Sequence, residues 1–102
     1  MVKKESRLQP IHPGEVLRTV LEDAGLSANA VALALRVPAN RLTEILNERR
    51  SISADTALRL ARYFGTSAQM WMNLQSKFDL ETAQDELAGR IEDEVKPMRR
   101  AS

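Results

Sequence analysis

The chain has 102 residues, 43% hydrophobic and 28% charged, the size and balance of one globular domain with a packed core. It has no cysteine and one histidine, His12, which excludes disulfide scaffolds, thiol chemistry and multi-histidine metal sites, so neither metal nor cofactor is expected. The net charge of +1 hides an asymmetry: residues 1–50 and 51–78 carry +2 each, residues 79–95 carry −6 and residues 96–102 carry +3, so a polyanion-binding face is sought in the basic body.

Residues 1–11 lack periodicity and read as a loose arm. No apolar stretch follows the charged start, and no run approaches the roughly 20 residues of a membrane span. A cytoplasmic protein with no membrane partner is therefore expected. Pro13 at a first helical position, Glu15 near the positive helix end, and Val16, Leu17, Val20 and Leu21 predict a helix over about 13–24, stopped by Gly25. Ser27 caps a second helix, with Ala30, Val31, Ala34 and Leu35 on one face. Pro38 marks a break before a short third helix, from 38 or 39 to about 47, carrying Leu42, Ile45 and Leu46. Ser53 caps a fourth, with Ala57, Leu58, Leu60, Ala61 and Phe64 inward and Gly65 at its end. Thr66 or Ser67 starts a fifth, carrying Met70, Trp71, Leu74 and Phe78. Asp79 is expected to cap a sixth, with Leu80, Ala83, Leu87, Ile91 and Val95 on one face. Gly89 weakens that helix by about 1 kcal/mol relative to alanine. No strand-like alternation competes. The expectation is an all-α, compact domain of five to six helices over residues 1–95, followed by a short basic tail at 96–102.

The stretch Leu26 to Asn47 carries the functional signal. Two short helices are joined by a tight turn at Leu35-Arg36-Val37-Pro38. Val31, Leu35, Val37, Leu42 and Ile45 form one inward set, and Ala32 is small where the helices must cross. That pattern suits a helix-turn-helix with a reading unit of about 27–47. Its third helix presents Ala39, Asn40, Arg41, Thr43, Glu44 and Asn47 outward, a face suited to base edges.

In this stretch and three others the chain resembles the Xre-like, phage-repressor-like helix-turn-helix proteins, and within them the HigA-type antitoxins. The other three are Pro10-Ile11-His12-Pro13-Gly14-Glu15, Ser53-Ala54-Asp55-Thr56-Ala57-Leu58-Arg59-Leu60-Ala61, and Met70-Trp71-Met72-Asn73-Leu74-Gln75 followed by Phe78-Asp79-Leu80. Together they cover roughly residues 10–80. Two positions depart from the family pattern. Arg36 stands in the turn where relatives usually have glycine, a place that often needs a positive φ. Glu48 stands after Asn47 where relatives also tend to have glycine, and an acid there is unhelpful beside the DNA backbone.

The resemblance implies a dimer that represses its own operon by binding a palindromic operator. It also implies neutralisation of a HigB-type toxin, a ribosome-dependent mRNA endonuclease. The expected base-reading residues are Ala39, Asn40, Arg41, Thr43 and Glu44. The expected phosphate contacts are Ser27, Asn47, Arg49 and Arg50, since helix N-termini bind anions and backbone contacts flank a reading helix. Trp71 with Met70, Leu74 and Phe78 fits either core or a dimer surface; with helices over about 67–95 assigned to dimerisation, Trp71, Leu74, Phe78 and Leu80 are the dimer candidates. His12 before Pro-Gly reads as a local structural residue. No nucleophile–base pair or glycine-rich phosphate loop points to an enzyme. The alternatives are a stand-alone transcriptional regulator, or an interaction adaptor that has lost DNA binding, which Glu44 and Glu48 keep open.

Overall fold

Helix starts leave backbone N–H groups without partners, and four of the six helices here begin where a side chain accepts one. The structure, a computed structural model, describes residues 9–99. It contains α1 (Pro13–Ala24), α2 (Ala28–Leu35), α3 (Ala39–Leu46), α4 (Ala54–Phe64), α5 (Ala68–Glu86) and α6 (Arg90–Glu94), with no strand among the described residues. His12 Nδ1 accepts from Gly14 N at 2.9 Å, and Ser27, Ser53 and Ser67 accept from Ala30, Thr56 and Met70. Pro38 precedes α3, which has no side-chain cap.

The first three helices end alike. In each, one N–H bonds back three residues and the next bonds back five: Gly25 to Glu22 and Leu26 to Leu21, Arg36 to Leu33 and Val37 to Ala32, Glu48 to Ile45 and Arg49 to Glu44. This double bond pattern needs a left-handed residue at its corner. Gly25 supplies it freely at φ 68°, whereas Arg36 and Glu48 adopt it with side chains, at φ 62° and 63°. The glycine-to-Arg36 departure therefore keeps the turn and carries its strain. The same holds at Glu48.

The core is one cluster: Leu17 and Leu21 from α1, Val31, Ala32 and Leu35 from α2, Leu42, Ile45 and Leu46 from α3, Ala57 and Leu60 from α4, Trp71 from α5, and Ile52 from the loop before α4. Three polar residues are buried with partners: Gln75, His12, and Thr56, whose hydroxyl accepts from Ser53 Oγ at 3.2 Å. Gln75 Oε1 accepts from Ile52 N at 2.7 Å while its Nε2 donates to Asp79 Oδ1 at 2.9 Å. His12, bonded to Gly14, also meets Phe78 edge to face with ring centroids 4.7 Å apart. Gly14 sits against α3 itself: a Cβ there would stand 1.9 Å from the carbonyl oxygen of Ile45.

The sixth helix differs from expectation. Asp79 caps nothing, because α5 runs unbroken from Ala68 to Glu86 and the Asp79 carboxylate accepts from Gln75 one turn back. The chain breaks instead at Gly89, which takes φ 78° and opens the five-residue α6. Leu80 and Ala83 thus lie on the far half of α5, and Ile91 and Val95 are exposed. Residues Lys96–Arg99 are exposed and non-helical, and the remainder of the basic tail, with residues 1–8 of the arm, lies outside the described residues. No helix of the described residues is long and apolar enough to cross a membrane.

Two substitutions test this packing. Gly14→Ala drives a methyl into backbone and should cost at least about 2 kcal/mol, lowering the thermal midpoint by roughly 10 °C. Arg36→Gly relieves a left-handed side chain and should stabilise by about 0.5–1 kcal/mol after glycine's own entropy. Thermal unfolding followed by circular dichroism measures both.

Candidate nucleic-acid interface

α3 packs on α1 and α2 by one face and leaves the opposite face open. Its buried residues, Leu42, Ile45 and Leu46, share one face. At about 100° per residue, Asn40, Glu44 and Asn47 fall opposite, with Ala39 and Thr43 on one flank and Arg41 on the other. Asn40, Thr43, Ala39 and Asn47 are exposed and Glu44 is half-buried. Thr43 donates its hydroxyl proton to Ala39 O at 3.1 Å, which leaves its oxygen able to accept. Glu44 pairs with Arg50 Nε at 2.9 Å. The structure thus brings Ala39, Asn40, Thr43 and Glu44 onto one solvent-facing surface.

Arg41 departs from the expected reading role. Its NH1 meets Asp55 Oδ2 at 2.6 Å and its side chain is only 28% exposed. Asp55 also holds Arg59 at 3.1 Å, and Arg59 NH1 donates to Leu35 O at 2.9 Å, closing the end of α2. Arg41 therefore ties α3 to α4. The hydrogen bond from Arg41, and then that from Arg59, holds the Asp55 carboxyl below its usual value of 3.8.

The flanking candidates lie at the start of α2 and in the turn after α3. Ser27 is exposed at the start of α2, its oxygen engaged by Ala30 N at 3.1 Å but its hydroxyl proton available to a phosphate. Arg49 is exposed just past α3. Arg50 is exposed too, yet its charge is shared with Glu44. Asn47 accepts from Arg18 NH2 at 3.4 Å, and the same nitrogen donates to Leu46 O at 3.0 Å. Arg18 thus closes the C-terminal end of the reading helix, where the helix dipole favours a cation. Arg18 and Arg59 were not singled out from sequence for these roles. Each finds its carbonyl more than twenty residues away, and only the folded arrangement reveals the pairing.

The dimer candidates separate. Trp71 is 0% exposed and donates its indole N–H to Thr66 Oγ1 at 3.0 Å, so it belongs to the core of the single chain and leaves the set of dimer candidates. Leu74 is half-buried against the same core, and Phe78 is half-buried against His12. Leu80 is 60% exposed. The described residues hold no group of three or more His, Asp or Glu side chains placed for a metal ion.

This geometry has close relatives. The Helix-turn-helix family profile matches residues 17–71. The virulence-associated protein I of Dichelobacter nodosus is 51% identical over 83 residues, spanning 80% of this chain and 77% of that one. The Pseudomonas aeruginosa antitoxin HigA, solved with the higBA promoter, superposes with a TM-score of 0.86 at 50% identity, covering 89% of this chain and all (100%) of that one. An addiction module antidote protein of the HigA family from Coxiella burnetii gives a TM-score of 0.83 at 48% identity, covering 89% and 100%.

The chain belongs to the helix-turn-helix family, in its HigA-type group.

As a HigA-type chain it retains the helix-turn-helix turn without glycine, through Arg36 in the left-handed region. Its reading helix is braced at one end by Arg18 and along one side by Arg41, Asp55 and Arg59. The brace predicts an acid response. A carboxyl whose folded pKa is lowered adds stability above its unfolded value of 3.8, and loses it as pH falls through the folded value. Asp55→Asn should therefore unfold more readily than the parent at neutral pH, with the gap closing in strong acid. Denaturant titrations across the acid range measure this.

Proposed function

We propose that this chain represses its own operon by binding operator DNA as a two-fold dimer, and neutralises a HigB-type toxin. The observation that carries the DNA-binding reading is the outer face of α3: Asn40, Thr43 and Glu44 stand clear of the core at a helix surface. A surface of that width enters a major groove, and Ser27 and Arg49 stand where phosphate strands pass on either side. The Pseudomonas aeruginosa relative solved with promoter DNA supports the same reading.

One reading helix covers a half-site, and two are needed for useful specificity. The surface assigned to the second copy is the far half of α5 with α6, where Leu80, Ile91 and Val95 are exposed. Leu74 and Phe78, earlier in α5, are half-buried against the core and His12. Toxin neutralisation is assigned to folded surface, because the described chain is helical through most of its length. Removing residues 1–9 together with 96–102 should leave toxin binding in place.

Base contacts discriminate sequence and phosphate contacts release counterions. Asn40→Ala should lower the ratio of operator to scrambled-DNA affinity by about tenfold. Arg49→Ala should weaken both DNAs alike and flatten the salt dependence of log K by about 0.9. Titrations at several salt concentrations measure the two effects. An unchanged ratio for Asn40→Ala would remove α3 as the reader and favour the adaptor. Leu80→Asp should give a monomer by light scattering at micromolar concentration.

A further inference from the structure

Glu44 is an unexpected side chain on a face turned toward a polyanion. Its carboxylate only accepts hydrogen bonds, and phosphates repel it. Two observations give it a use. It stands four residues beyond Asn40 on the outward side of α3, so the two side chains project next to each other. Arg50 Nε lies 2.9 Å from Glu44 Oε1 in an ion pair, and the Glu44 side chain stays 36% exposed. The guanidinium offsets the negative charge beside α3 and leaves the carboxylate part-exposed, with acceptor capacity to spare.

Bases show few hydrogen-bond donors in the major groove: the cytosine N4 amino group and the adenine N6 amino group. The adenine donor lies beside the N7 acceptor, which suits an amide such as Asn40 and repels a carboxylate. The cytosine amino group has no acceptor next to it on that edge. We infer that Glu44 selects a cytosine in each operator half-site, and that Arg50 is its positioning residue rather than a free phosphate clamp. The inference rests on the reading that α3 enters the major groove, and goes beyond it by naming the base that one side chain demands.

The test is selection from a pool of randomised duplex DNA by the full chain, in parallel with Glu44→Gln and Arg50→Ala. Glu44 is on the surface, and unchanged thermal unfolding of Glu44→Gln certifies its fold. The parent should enrich a site with one strongly preferred C·G pair in each half. Glu44→Gln should lose that preference by about tenfold, shifting to A·T or to no preference, and keep every other position. Arg50→Ala should blunt the same position alone, and Arg50→Lys should restore part of it. Two outcomes overturn the inference by itself: Glu44→Gln enriching the parent's sequence unchanged, or Glu44→Gln tightening binding equally at all sequences. If the parent enriches no sequence at all, the operator reading fails and this inference falls with it.

Discussion

Gly14 lets α1 touch the backbone of α3, and the placement of the reading helix follows from that contact. A Cβ at position 14 would overlap the carbonyl oxygen of Ile45 at 1.9 Å, so a side chain there would push the two helices apart. The neighbouring residues make the same loop rigid. His12 caps α1 through Gly14 N and packs on Phe78 of α5, so one short segment joins three helices. Arg18, one turn farther along α1, donates to the Leu46 carbonyl at the same C-terminal end of α3. Leu17 and Ile45, both fully buried, add apolar packing beside these contacts. Tight packing of this kind leaves few alternative arrangements, and it determines how far Asn40 and Glu44 stand out from the body.

The polar brace works differently. Asp55, Arg41 and Arg59 are partly exposed, and ion pairs in water contribute little to stability. Their effect is on orientation: Asp55 sits in the first turn of α4 and gathers an arginine from α3 and one from its own helix, the latter also bonded to the end of α2. Three helices of the DNA-binding unit are thereby tied at one point. Left-handed Arg36 and Glu48 carry strain of roughly 1–2 kcal/mol each, and each closes its turn with two backbone hydrogen bonds. The turn after α3 also carries Arg49 and Arg50 to the rim of the reading face.

Much of the fold was legible in the residues because its signals are local. Ser27, Ser53 and Ser67 cap the helices that their spacing predicts, and Gly25 and Gly65 end α1 and α4. The boundary that was not legible lay at Asp79. A good capping residue carries no information about whether the helix before it has stopped, and here the preceding helix continued through it to Glu86. The outward face of α3 was legible for Asn40, Thr43 and Glu44, since three buried positions of a short helix define its opposite side. Arg41 was not, because its partner Asp55 is fourteen residues on and sequence spacing alone assigns no partner to an arginine on a helix flank. Trp71 fitted core and interface equally until Thr66 was seen to satisfy its indole N–H inside the single chain.

The central claim is that two copies of this reading helix grip one symmetric piece of DNA. Hydroxyl-radical footprinting of the chain on the promoter of its own gene tests it most directly. The account predicts two protected patches related by a two-fold axis, with centres about one helical turn, roughly 10 base pairs, apart. Protection of a single unsymmetric patch, or none above the level on scrambled DNA, would contradict it.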